Sequence, residues 1–176
     1  MRIIGGILHG KNIVPPSRLK ARPTTDFAKE NLFNILANRV DFKTLHVLDL
    51  FAGTGSISFE FASRGCERVD CVEMEPLHHA FIRQTAQQFG LPQIHAIRYN
   101  VFNFFHICNA RYNLIFADPP YELKGLDTIP DSIFFHKLLQ HDGIFILEHP
   151  QKYDFKTHPH FKQRRDYGSV CFSFFE

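Results

Sequence analysis

Tryptophan is absent from this 176-residue chain, and methionine occurs only twice. Aromatic bulk comes instead from twenty phenylalanines, which we read as core filling. No run of eighteen apolar residues occurs, so no membrane-spanning helix is expected. The opening Met1-Arg2-Ile3-Ile4-Gly5-Gly6 lacks the apolar stretch of a signal peptide. Cys66, Cys71, Cys108 and Cys171 have no CxxC spacing. Buried free thiols in a reducing cytosol fit them better than disulfides or zinc. No pair of histidines has metal-ligand spacing either, so no metal is expected. His78 and His79 are expected to face solvent on a helix, and His149 precedes Pro150 at a strand end.

Net charge is only +2, but its distribution is uneven. Residues 1–43 carry eight Lys/Arg against three Asp/Glu, residues 44–150 seven against twelve, and residues 151–176 five against three. Basic ends around an acidic middle suit a nucleic-acid footprint, though charge alone leaves a plain solvated surface equally open.

Arg2 to Leu8 and Lys11 to Val14 read as a hairpin around His9-Gly10, followed by a basic loop from Arg18 to Pro23. Thr25 or Asp26 caps a helix running to about Arg39. A regular alternation follows. Strands are expected at His46–Phe51, Arg68–Glu73, Ile94–Tyr99, Tyr112–Ala117 and Ile144–Glu148. Helices are expected at Ser56–Arg64, Leu77–Phe89, Val101–Ile107 and Asp131–Gln140. Residues 160–167 and 169–175 then form a hairpin turning at Tyr167-Gly168-Ser169. This order predicts an α/β fold of the Rossmann-like kind, a mostly parallel sheet with helices on both faces. Residues 1–43 form a small hairpin-and-helix extension, and residues 44–176 the main domain.

The first strand of the alternation runs into Asp49-Leu50-Phe51-Ala52-Gly53-Thr54-Gly55-Ser56. Gly53 and Gly55 allow a tight turn and close approach of a ligand, and the next helix offers its positive N-terminus. Ser58 stands where a dinucleotide fingerprint has its third glycine. Asp49 would repel a pyrophosphate and attract an ammonium group. S-adenosylmethionine, with an ammonium, a sulfonium and no phosphate, fits this loop better than a dinucleotide. Glu73 ends the second strand, in Val72-Glu73-Met74-Glu75-Pro76, where an acid accepts from two ribose hydroxyls. Glu75 is read as a favourable charge at a helix start. Asn100 and the Val101 N–H are candidates for adenine, with a plain helix cap the equal alternative for Asn100.

Asp118-Pro119-Pro120-Tyr121 follows the apolar run Leu114-Ile115-Phe116-Ala117. Ligands of open α/β sheets bind at such strand ends. The Asp118 carboxylate and the Pro119 carbonyl can both accept from one exocyclic NH2, and Tyr121 can stack on its ring. Two acceptors favour a pyramidal nitrogen with its lone pair aimed at a methyl donor. The planar base must leave any helix to reach such a pocket.

Together these segments resemble the class I S-adenosylmethionine-dependent methyltransferases. More closely, the chain resembles the bacterial family that methylates guanine N2 in 16S ribosomal RNA. The likeness spans RIIGG…GK, Arg22-Pro23-Thr24-Thr25-Asp26 with Glu30 and Leu32-Phe33-Asn34, the DLFAGTG loop, VEME, DPPY and Tyr167-Gly168. It implies a seven-stranded sheet with the last strand antiparallel. It also implies an N-terminal extension touching RNA and cofactor, and action on a small subunit with ribosomal proteins bound. Candidate catalytic residues are Asp118, Pro119, Pro120 and Tyr121. Candidate cofactor residues are Asp49, Phe51, Gly53, Thr54, Gly55, Glu73, Met74, Asn100, Val101 and Asp118. Lys11, Arg18, Lys20 and Arg22 are candidates for RNA phosphate contact. A monomer is expected. Phe27 and Lys29 stand where the family often has arginines, and Asn100 where aspartate is common. Adenine-N6 methylation of DNA or RNA, and a non-catalytic role in ribosome assembly, are the alternatives.

Overall fold

The computed structural model describes residues 1–17, 19 and 25–176. Five parallel strands and a closing hairpin make one seven-stranded sheet. These are β1 (His46–Leu50), β2 (Arg68–Val72), β3 (Ile94–Ile97), β4 (Tyr112–Ala117), β5 (Leu139–Pro150), β6 (Phe161–Tyr167) and β7 (Val170–Phe175), in spatial order β3-β2-β1-β4-β5-β7-β6. β5 pairs β4 in parallel and β7 antiparallel. The parallel part is what the alternation predicts, and the seven strands with the last one antiparallel are what the resemblance implies.

Alternating side chains divide the core in two. Val47, Leu114, Phe116, Ile144, Ile146, Phe172 and Phe174 face one layer. That layer holds α1 (Asp26–Ala37), α2 (Ser56–Ser63) and α3 (Pro76–Gln88). Leu48, Leu50, Ile115, Ala117, Phe145, Leu147 and Phe175 face the other, with α4 (Val101–Ile107) and α5 (Ile129–Phe135). Central strands buried on both faces carry continuous apolar runs, as parallel strands do.

All eight residues of α2 are buried, because the N-terminal segment lies over the face the sheet does not cover. Glu60 Oε2 accepts from Ile4 N–H at 2.9 Å. The Ser63 hydroxyl donates to the Gly5 carbonyl at 2.6 Å and accepts from Leu8 N–H at 2.9 Å. Gly6 has φ +74°, and a Cβ there would fall 1.8 Å from the Ser63 carbonyl oxygen. Only glycine fits so close an approach. Lys29 is fully buried, and its ammonium donates to the Arg2 carbonyl at 2.6 Å and toward Ser56 Oγ at 3.4 Å. Burial lowers its pKa, with Glu60 opposing the shift. Its charge is therefore spent inside the protein.

Several expectations need correction. The opening segment folds back on itself through Ile3 N–H to Lys11 O and Ile13 N–H to Met1 O, each 2.9 Å. It makes a single bridge, Arg2 to Asn12, and a 3-10 turn at Gly6–Leu8 in place of two strands. His79 is half-buried, with Nε2 3.2 Å from the Ala96 carbonyl oxygen. Cys66, Cys71 and Cys171 are buried free thiols as expected, whereas Cys108 is only partly so.

The largest difference is at α5, which ends at Phe135 rather than Gln140, so that β5 begins at Leu139. Lys137 N–H bonds to Phe134 O and Leu138 N–H to Ile133 O, the paired closure of a Schellman motif. α2 and α3 end the same way, with Gly65 at φ +90° and Gly90 at φ +62°. In α5 the left-handed position is held by Lys137 at φ +53°, so no glycine marks the stop.

A side chain in that conformation costs on the order of 1 kcal/mol. Lys137→Gly should therefore stabilise the fold by roughly 0.5–1 kcal/mol, since glycine's extra unfolded-state freedom offsets part of the gain. Denaturant unfolding checks it, and an unchanged or lower midpoint would count against the strain.

Candidate functional site

The strand registers bring the candidate residues together. Leu50 is opposite both Val72 and Ala117, and Ala117 is opposite Leu147. Phe51, Glu73, Asp118 and Glu148 are thus the next residues along four adjacent strands. At about 4.8 Å between strands, they form one row across the carboxyl ends of β2, β1, β4 and β5. Every residue singled out in DLFAGTG, VEME and DPPY lies on this row or in the loop directly after it, except Asp49, which is inside β1.

The glycine loop is held from both sides. Ala52 N–H bonds to Val72 O at 3.1 Å, and Gly55 N–H bonds back to Ala52 O at 2.7 Å. Glu73 Oε2 accepts from Gly53 N–H at 2.8 Å, while its Oε1 accepts from Glu75 N–H at 2.7 Å. One carboxylate therefore shapes the loop and the turn into α3. A Cβ on Gly55 would come within 2.9 Å of the Phe59 ring and 3.1 Å of Ile82, so the position takes no side chain. Phe51 sits at φ +59°, rare for a bulky residue and of the kind that clusters at functional loops.

Asp49 points from β1 toward α2 and is almost fully buried, accepting a hydrogen bond from the Ser58 hydroxyl. Burial pushes its pKa up to about 7, against the lowering effect of Ser58. Ser58, which sequence reading treats only as a missing glycine, is the side chain that holds this acid. Thr54 is also buried, its hydroxyl 3.8 Å from Met1 Sδ.

Beyond β3, Asn100 Oδ1 accepts from Asn103 N–H at 3.2 Å. The side chain caps α4, and its Nδ2 lies 3.7 Å from Met74 Sδ. Met74, Leu77 and Tyr99 are exposed large apolar side chains, while Val101 is buried at the first turn of α4.

At the end of β4, Asp118 N–H bonds to Leu50 O at 3.4 Å. The Pro120 carbonyl is occupied by Leu123 N–H at 2.8 Å, whereas among the described residues nothing donates to the Pro119 carbonyl. The Tyr121 hydroxyl donates to Glu148 Oε1 at 3.4 Å. Sequence reading misses Glu148. Its signal is an acid ending the apolar run Ile144–Leu147, the same pattern that marks Glu73 and Asp118. His149 is buried in a structural role, with Nδ1 against the Pro150 carbonyl at 3.0 Å and Nε2 against the Ser173 hydroxyl at 2.7 Å. Burial lowers its pKa.

Lys11 is exposed on the N-terminal segment, and Arg18, Lys20 and Arg22 lie outside the described residues. Among the described residues no group of three or more His, Cys, Asp or Glu could hold a metal ion, and no helix is long and apolar enough to cross a membrane.

The raised pKa of Asp49 has a signed consequence. Folding binds a proton between pH 3.8 and about 7, so this group's contribution to stability is lost as pH rises through that window. Asp49→Asn cannot titrate. Thermal melts at pH 5 and pH 8 should show the native protein losing more stability than the variant, and parallel losses would refute the shift.

The family model described as Conserved hypothetical protein 95 matches residues 1–176. Ribosomal RNA small subunit methyltransferase D of Buchnera aphidicola subsp. Baizongia pistaciae is 27% identical over 148 residues, covering 84% of this chain and 75% of that protein. Putative rRNA methyltransferase YlbH of Bacillus subtilis is 30% identical over 157 residues, covering 86% and 84%. Among solved structures, a hypothetical protein of Thermus thermophilus superposes with a TM-score of 0.88 at 26% identity, covering 100% of this chain and 99% of that one. A putative methyltransferase from Escherichia coli gives 0.86 at 23% identity, covering 99% and 96%, a likeness of fold. With the model matched from end to end and a 30% identical relative covered over most of its length, the chain belongs to the Conserved hypothetical protein 95 family, on a class I methyltransferase fold.

Proposed function

We propose that this protein transfers a methyl group from S-adenosylmethionine to N2 of a guanine in small-subunit ribosomal RNA. The observation that carries the reading is the row of strand ends, in which the glycine loop after β1 is next to Asp118-Pro119 after β4 and is clamped from its other side by Glu73 after β2. The small-subunit rRNA methyltransferase and putative rRNA methyltransferase among the relatives support the substrate class.

The loop suits a cationic nucleoside without phosphate. Two acids flank it, Glu73 on the Gly53 N–H and Asp49 buried behind it against Ser58. Glu73 would take the ribose hydroxyls, and Asp49, Phe51, Gly53, Thr54 and Gly55 the methionine end. The apolar side chain of Met74, with Asn100 and the Val101 N–H, would take the adenine. The cofactor supplies a methyl carried on a sulfonium. Asp118 borders both halves of the site.

An aromatic amine is a poor nucleophile because its lone pair is shared with the ring. The Asp118 carboxylate and the Pro119 carbonyl would each accept one hydrogen of the guanine NH2, holding the nitrogen pyramidal and its lone pair aimed along the row. Tyr121, its hydroxyl held by Glu148, would stack on the extruded base. The proton then leaves a nitrogen made acidic by alkylation, so Asp118 need only be a positioned acceptor. Residues 1–43 act as an extension contributing RNA and cofactor contacts, with Lys11, Arg18, Lys20 and Arg22 on phosphates, and residues 44–176 as the methyltransferase domain. The enzyme works as a cytoplasmic monomer on a subunit carrying ribosomal proteins.

Asp118→Ala should lower labelled methyl transfer to small subunits by about 100-fold or more, the scale of losing one positioned polar group. Calorimetry should still find cofactor binding in the variant. Nucleoside digestion of the product should yield N2-methylguanosine. N6-methyladenosine would move the reading to adenine, and full activity of the variant would refute the catalytic assignment.

A further inference from the structure

The candidate site occupies the carboxyl end of the parallel strands. A cleft of about 720 Å³ occupies the opposite end, where β4 and β5 begin. Three cations from three separate elements line it: Arg111 just before β4, Lys137 just after α5, and Lys162 in β6. Of the other charges lining the cleft, Arg39 pairs with Glu176, and Asp142 lies 2.8 Å from His141 Nδ1. Among the described residues no carboxylate pairs with Arg111, Lys137 or Lys162.

We propose that this cleft is a second RNA-binding surface, taking phosphates of the same ribosomal substrate at the end of the sheet away from the reaction. The inference rests on the reading of the substrate as ribosomal RNA. Its own support is charge complementarity and strain. Three exposed cations lining one concavity give it a positive surface that a polyanion complements. Lys137 also holds the left-handed position that glycine fills after α2 and α3. A lysine there keeps its charge in the cleft at a cost in backbone strain that glycine would avoid. The cleft spans three elements and exceeds the size of one phosphate, which favours a nucleic-acid backbone over a small anion.

The six residues of β4 put about 20 Å between the cleft and Asp118. A short hairpin offered to Asp118 does not reach round to Lys137, whereas a folded subunit can grip both ends. The two contacts would thus select assembled particle over free RNA.

The test is a triple variant, Arg111→Ala, Lys137→Asn and Lys162→Ala, asparagine being chosen because it tolerates the left-handed backbone. Binding to small subunits is measured across potassium chloride concentrations. Each lost phosphate contact should reduce the slope of log affinity against log salt by about 0.7–0.9, so a fall of about 2 is expected. Affinity should drop at least 10-fold near about 0.1 M salt, by that same slope argument. Cofactor affinity, and turnover on a short hairpin, should match the native protein. Lys137→Gly alone should raise the melting midpoint while lowering the slope by about 1, a combination that a purely structural lysine does not give.

Unchanged slope and affinity would overturn the proposal. So would thermal protection of the native protein, but not the triple variant, by inorganic pyrophosphate with no change in subunit binding. That result would assign the cleft to a small phosphate compound. Failure of the methylation reading shows separately, as absence of N2-methylguanosine with the native protein.

Discussion

The structure depends on a matching of strand ends. β1 pairs β2 on one side and β4 on the other, and Leu50 faces the last residue of each. That register decides where every chemically interesting residue falls. A shift of one position along β4 would turn Asp118 to the opposite face of the sheet from its present one. The apolar side chains that enforce the register, alternating between two core layers, therefore set the aim of the carboxylates as well as the stability of the sheet.

Much of this was legible in the sequence, because the signals were local and repeated. Val101–Ile107 and Tyr112–Ala117 occupy the spans expected of them, and Thr25 caps α1 through a bond from Ala28 N–H at 3.2 Å. The misses have specific causes. α5 stops at a lysine in a glycine's conformation, and composition carries no trace of that. The opening segment does fold back on itself, but its Ile4 and Leu8 N–H groups bond to α2 side chains more than fifty residues away, and nearby residues give no sign of those bonds. Nothing in the sequence around Lys29 marks it as buried, and only the fold reveals that its ammonium is enclosed. For Asn100, sequence reading leaves a cap and an adenine contact equally open, and the structure engages its side-chain oxygen as the cap.

Strain is distributed unevenly. Phe51 and Lys137 both hold left-handed backbone, one at each end of the sheet. Each costs on the order of 1 kcal/mol or more, a sizeable share of the 5–15 kcal/mol that holds a typical domain folded. Phe51 is part of the loop that Glu73 clamps, and Lys137 is part of the basic cleft. Asp49 adds a third cost, a carboxylate kept so far from water that its pKa rises to about 7 even with the Ser58 hydrogen bonds opposing the shift.

The bond between Glu60 and Ile4 joins residues 56 positions apart. A ribosome makes the segment around Ile4 well before α2, so that segment must wait undocked until Glu60 and Ser63 have emerged and folded. One face of α2 is thus closed by chain made before α2 itself, and the helix leaves water on that side only when the earlier segment returns to it.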